Sequence, residues 1–268
     1  MTAHVDSGAI SAAPRSAAVR FPSVRIFLLE TRMEFQRLLR TPSFSVPILV
    51  FPLMFYLLFG IILGSRYDGG ASAGRYLLAN FTVFGVMAPG LFGVGVTLAM
   101  DRDRGLLELK RALPMPPGIY LAAKLTVSMV FAGIVSILVM VLAATLGQVV
   151  LPLIQWGTLF VLAVFGVLPF CGLGLFVGTL AKGQAAPAVI NLIYIPMSFL
   201  SGLWMPLRML PHFIGQLAPL WPAYHLVQLA QSVVGTAERS GVGVHLLALA
   251  GMAAVFFLAA RRRLGRLR

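Results

Sequence analysis

Residues 100 to 117, MDRDRGLLELKRALPMPP, hold seven charged side chains between two long runs that hold almost none. The contrast decides what kind of chain this is. Of its 268 residues 59% are hydrophobic and only 11% charged, against a charged share of about 25% in soluble domains. A bilayer core about 30 Å thick is crossed by roughly 20 apolar residues. Residues 43 to 64, 76 to 100 and 240 to 260 have no Asp, Glu, Lys or Arg, and neither does the run from Leu125 to Ala181. That run is long enough to cross twice, and LGQVVLP, Leu146 to Pro152, supplies the turn, since Gly147 can end one helix and Pro152 start the next. An all-α integral membrane protein follows.

Working outward, spans are expected at about 43–64, 76–100, 121–146, 155–180, 184–205 and 241–260, six in all. The uncharged stretch from Met209 to Ala237 is long enough for another, but Pro211, Pro219 and Pro222 would leave backbone groups unpaired in lipid. Irregular backbone at membrane depth is tolerated only against protein or water. Residues 209–235 therefore read as a re-entrant or interfacial segment. Residues 1–20, rich in Ala and Ser, read as a disordered cytoplasmic tail, residues 21–262 as the membrane domain, and residues 263–268 as a basic cytoplasmic tail.

Lys and Arg set the orientation. The N-terminal segment, the opening block with Lys124, the loop at Lys182 and the C-terminal tail hold seventeen, against four (Arg66, Arg75, Arg208, Arg239) in the other loops. Both termini and the block are thus expected in the cytoplasm, which an even number of spans also requires. The net charge of +13 is mostly topological, with some attraction to anionic lipid. Nucleic acid is not an expected partner, because the basic residues flank apolar spans and do not form a soluble face. The first 40 residues lack an apolar signal-peptide core, so the first span is expected to direct insertion. The single cysteine, Cys171, reads as a small buried hydrophobe.

Before the first span, SVRIFLLETRMEFQRLLRTP places Val24, Leu28, Thr31, Phe35 and Leu38 at helical spacing, with most charges elsewhere. This predicts an amphipathic interfacial helix ending before Pro42, either an anchor or a cradle for a partner. Gly60 with Gly64, and Gly174 with Gly178, have the G-x-x-x-G spacing of close helix contacts, a weak sign of a dimer seam.

The block itself is too long for a simple connection. Arg102 to Ala112 can form a short helix with Leu106, Leu109 and Leu113 on one face, which LPMPPG then stops. A solvated charged face and a docking element are both compatible with it. No lysine follows a glycine, so the phosphate-binding loop of an ATPase is absent. No carboxylate lies in a proposed span, which argues against ion coupling, and His245, the clear intramembrane ionisable group, fits helix packing as well as proton carriage. No metal-ligand set and no pairing of a nucleophile with a base is visible. A non-transporting scaffold, an ion-coupled transporter and an intramembrane enzyme stay as alternatives, the last the weakest.

The chain resembles the membrane subunit of ABC transporters of the type 2 exporter family, over about residues 22 to 262. In DRDRGLLELKRALP the family's acidic-basic pair, Gly, Leu-Glu and Thr-Pro are matched by Asp101 to Arg104, Gly105, Leu107-Glu108 and Pro114, and its lysine opening the third span by Lys124. Aspartates stand where glutamate is common, and Leu113 replaces the threonine. PLWPAYHLVQLAQ, Pro219 to Gln231, is similar to the family's motif before the last span, with Pro219, Trp221, Tyr224 and His225 in its places.

The resemblance implies a bacterial inner-membrane permease of the drug, lipid or polysaccharide export branch, working as two permease copies, identical or paralogous, with two copies of an ABC ATPase subunit. ATP and Mg would sit on that ATPase, and this chain would bind no cofactor and catalyse no reaction by itself. It further implies a coupling helix docking through Asp101, Arg102, Asp103, Arg104, Glu108 and Arg111, with Gly105 and Pro114 setting turns. A path between the copies would run along the first, second and fifth spans, where Phe51, Phe55, Phe59, Phe81, Phe84, Tyr194, Phe199 and Trp204 either line it or pack.

Overall fold

A computed structural model describes residues 23–63, 70–112, 117–237 and 241–266. The expected tail at 1–20, Gly64, Arg66, Pro114 and Arg239 lie outside the described residues, as does the side chain of Arg111. The described residues are helical, with no strand among them. Ten helices follow in order: α1 (Ser23–Leu39), α2 (Pro42–Ile62), α3 (Ser72–Asp103), α4 (Leu106–Ala112), α5 (Gly118–Thr145), α6 (Leu153–Leu180), α7 (Ala186–Leu200), α8 (His212–Leu217), α9 (Pro222–Val234) and α10 (Val242–Gly265).

Five of them, α2, α3, α5, α6 and α10, are long and apolar enough to cross a membrane. α7, in the region expected to span at 184–205, has only 15 residues, a length of about 22 Å at the α-helical rise. It stops where Gly202 takes a φ of +78°, a conformation open to glycine at little cost. The region expected to re-enter is two helices, α8 and α9, joined by a 3-10 turn at Ala218–Leu220. Pro222 starts α9 where its missing N–H removes no helical bond, and Gly235 closes it at a φ of +78°.

α3 forms the middle of the bundle. Of its apolar window 83% is buried, against 22% for α2 and 6% for α10, so the outer helices turn most of their surface away from the protein. Its segment Pro89–Val96 widens to π-helical winding, as suits a proline that cannot donate to the regular ladder. Opposite it, α6 bends at Val167, just ahead of Pro169.

At that bend-and-bulge contact the helices touch through glycine. A β-carbon on Gly174 would fall 2.7 Å from the Gly90 carbonyl oxygen, and one on Gly178 would fall 2.5 Å from that of Gly95. The Gly174/Gly178 pair is therefore an internal seam and not an exposed dimer face. It brings the C-terminal half of α6 against the stretch of α3 that leads into the charged block.

Candidate functional site

α3 does not end where its apolar run ends; it carries the chain through Asp101 to Asp103. Arg104 and Gly105 then turn, and Gly105, at a φ of +69°, allows the reversal. The block helix accordingly starts at Leu106, not at Arg102. Leu107 packs against the main core while Leu109 is 59% exposed, so the inward leucine is not the expected Leu109; Leu113 of that face lies outside the described residues.

The block's charges divide into an inner and an outer set. Asp101 is 1% exposed and therefore not an outward docking contact. Its carboxylate meets the Arg37 guanidinium at 2.8 Å, the Lys124 ammonium at 3.2 Å and the Tyr120 hydroxyl at 2.6 Å. Lys124 also donates to Thr97 Oγ1 at 2.7 Å and pairs with Glu34. Lys110 of α4 pairs with Glu30 and lies 4.5 Å from the centre of the Tyr120 ring, within cation–π range. Three carboxylates (Glu30, Glu34, Asp101) thus balance three cations (Arg37, Lys110, Lys124). Burying such charges is tolerable only because each is paired and hydrogen-bonded. Burial alone would lower the pKa of Arg37, but its hydrogen bond to Asp101 and the charges of Asp101 and Glu34 outweigh burial and raise it.

This network ties α1 to three other elements: the end of α3, α4 and the start of α5. It also splits the expected apolar face of α1, whose Phe35 and Leu38 pack inward. Glu30, Glu34 and Leu38 are buried, whereas Val24 and Leu28 are 68% and 60% exposed. An apolar strip turned outward on an interfacial helix is compatible with lipid contact.

Arg102 and Asp103 make a second tie. Arg102 donates to the carbonyls of Thr179 and Ala181 at 2.6 Å each and to that of Gly178 at 3.2 Å, placing a cation on the unpaired carbonyls that end α6. Asp103 accepts a hydrogen bond from the Gly183 N–H at 2.6 Å. Arg104 and Glu108, with Leu109, face outward.

At mid-bundle the eight expected aromatics do come together. Phe55 of α2 is the centre: its ring lies 4.6 Å from Trp204 and 5.8 Å from Phe84, with Phe51, Phe59 and Phe81 within 6.4 Å. Tyr194 joins through Phe84, and Phe199 stacks on Trp204 at 5.2 Å. Phe81 and Phe84 are buried, while Phe51 and Phe199 are 49% and 44% exposed. The cluster therefore runs from the core of the chain to its surface between α2 and α7.

Ahead of the last span, the His225 imidazole donates through Nε2 to the Pro219 carbonyl at 2.9 Å, and its Nδ1 shares a hydrogen bond with His245 Nδ1 at 2.9 Å. Tyr224 borders both rings, and Trp221 takes the N-cap position of α9. Gln231 of α9 donates to Asn80 of α3 at 2.8 Å, and Asn80 donates to the Leu203 carbonyl at 3.0 Å. The motif thus anchors α9 to α3, α10 and the turn after α7. Sequence reasoning missed Glu30, Glu34, Arg37, Lys110, Tyr120 and Asn80. The i, i+4, i+7 spacing of Glu30, Glu34 and Arg37 on α1 was a signal for the first three.

Among the described residues no cluster of His, Cys, Asp and Glu is arranged to hold a metal ion. The chain is similar to YvfS of Bacillus subtilis (strain 168), a protein whose name describes a transport permease, at 26% identity over 72% of this chain and 78% of that one. It is also similar to the inner membrane transport permease YhhJ of Escherichia coli (strain K12), at 25% identity over 64% of this chain and 44% of the longer YhhJ. The family described as ABC-2 type transporter matches residues 26–234. That match runs from α1 through α9 and takes in the ionic network, the block helix and the aromatic cluster: the chain is a membrane protein and belongs to the ABC-2 type transporter family.

Proposed function

We propose that the chain is the membrane-spanning permease subunit of an ATP-driven exporter that moves an amphipathic drug, lipid or polysaccharide-type substrate out of the cytoplasm. The observation that carries this reading is the division of the block. Its inner residues lock it to α1, α5 and α6, and its outer face presents Arg104, Glu108 and Leu109. A helix so held can be pushed without coming loose. A separate ATPase subunit, holding ATP and Mg, supplies the push by closing around α4, and two such subunits serve two permease copies, identical or paralogous.

Displacement of α4 reaches α1 through Lys110 and Glu30, and the α3–α5 corner through Asp101, Tyr120 and Lys124. Arg102 carries it to α6. The response opens a path along α2, α3 and α7, where the aromatic cluster offers a weakly polar surface to an amphiphile. In this reading α7, with the turn that follows it, completes a sixth crossing, and α8 and α9 form the re-entrant element. Both termini and α4 lie on the cytoplasmic side of a bacterial inner membrane.

The test is co-expression of the tagged chain with ATPases encoded beside it. Wild type is expected to co-purify with one of them in detergent. The double reversal R104E/E108R should insert normally, elute as one species and lose at least about tenfold of the recovered ATPase, because it replaces attraction by like-charge contact at a rim where charge sets specificity. Undiminished recovery with the reversal would overturn the docking role.

A further inference from the structure

At the end of the bundle opposite α4 there is a cleft of about 590 Å³, bordered by the start of α3, the turn after α7 and the far end of α9. Its borders are unusual for so apolar a chain. Arg208, Gln228 and Ser201 line it beside the apolar Leu207 and Val227. Arg208 also borders an adjoining cleft of about 500 Å³ with His212 and Gln216. No carboxylate of the described residues pairs with Arg208. Ser201 is 1% exposed and its hydroxyl has no hydrogen-bond partner, an arrangement that is costly unless something else satisfies it.

The floor of the cleft is rigid. The Gly202 carbonyl accepts from the Tyr76 hydroxyl and the Asn80 amide at 3.3 Å each, and Asn80 is in turn held by Gln231. Between Gly202 and Pro206, both of which line the cleft, the chain carries Trp204 into the aromatic cluster. A cationic, hydroxyl-bearing and amide-bearing hollow thus adjoins an apolar aromatic surface. That pairing matches a molecule with an oxyanion at one end and hydrocarbon at the other.

We infer that this cleft binds the phosphate-bearing headgroup of an amphiphile on the release side of the membrane, with Arg208 holding the oxyanion, Ser201 and Gln228 donating to it, and the apolar portion lying toward Phe199 and Trp204. The inference rests on the export reading only for its place in the cycle. Binding itself needs no ATPase.

The full chain is purified in dodecyl maltoside, a phosphate-free detergent, and titrated with radiolabelled dihexanoyl phosphatidylglycerol. Saturable binding is expected, weakened roughly tenfold by R208Q, as for loss of a charge-assisted contact. S201A should weaken it a few-fold. R75Q, at the same end but donating to the Val150 carbonyl, should leave it unchanged, and each variant is compared only if it elutes as wild type does. Equal affinity in wild type and R208Q overturns the site, as does binding that never saturates. Full competition by millimolar inorganic phosphate would show that a free oxyanion is the occupant and overturn the amphiphile; absence of competition supports it. Failure here alongside loss of ATPase recovery in R104E/E108R removes the cleft and leaves the export reading intact.

Discussion

Lys124 is 2% exposed at the head of α5, with Asp101 and Glu34 beside it. Replacing it by Met removes one cation from a balanced set and leaves buried Glu34 with only its longer contact to Arg37, at 3.5 Å, while Asp101 keeps Arg37 and Tyr120. Breaking a buried pair from one side costs about 3–5 kcal/mol. K124M is therefore expected to lose about 3 kcal/mol, seen as a lowered melting temperature in detergent. The neutral double variant E34Q/K124M should recover at least half of that loss, because it removes the carboxylate left under-paired. Equal melting of K124M and wild type would mean that the pair carries no stability. The sequence placed Lys124 correctly at the head of a span and marked Asp101 as notable. It did not reveal that Asp101 faces inward, because its partners Arg37 and Tyr120 come from other elements and local spacing contains no record of them.

For single elements, apolar periodicity was a good guide inside the bilayer and a poor one at its edge. The long helices follow from uncharged runs that leave the backbone no other way to satisfy itself. On α1 the rule that apolar faces turn inward holds for Leu38 and Phe35 but not for Val24 and Leu28, which are exposed while Glu30 and Glu34 are buried, since paired ions fill much of the interior side. The glycines show a related gap. G-x-x-x-G spacing announces a close helix contact without saying whose helix, and here Gly178 meets Gly95 of the same chain. A β-carbon there would stand 2.5 Å from a backbone oxygen, which cannot swing aside as a side chain would. G178A is expected to destabilise the fold by about 1–3 kcal/mol, with a matching fall in melting temperature and in membrane yield. G118A, where a β-carbon would meet nothing within 4 Å, should behave as wild type. A harmless G178A would show that the α3–α6 seam yields more easily than backbone contact allows.

On the scale of the whole molecule, charge and topology bear on one another. Of the sixteen Lys and Arg in the described residues, Arg75 and Arg208 belong to the end opposite α4 and the other fourteen to the end that carries it. By the bias of basic residues toward the cytoplasm, α4 should face the ATPase compartment and the Arg208 cleft the outside. Cys171 makes this measurable, for it is the one cysteine in the sequence and is buried with 0% exposure; the native thiol should stay silent. Val150, 77% exposed in the turn between α5 and α6, and Leu109, 59% exposed on α4, lie at opposite ends. In intact spheroplasts, Val150→Cys is expected to react with a membrane-impermeant maleimide and Leu109→Cys to remain unmodified until the membrane is opened. The inverse pattern would turn the permease over and put the block helix out of reach of any cytoplasmic ATPase. Labelling of both from outside would remove the membrane barrier between the two ends, and with it the assignment of α4 as the cytoplasmic coupling element.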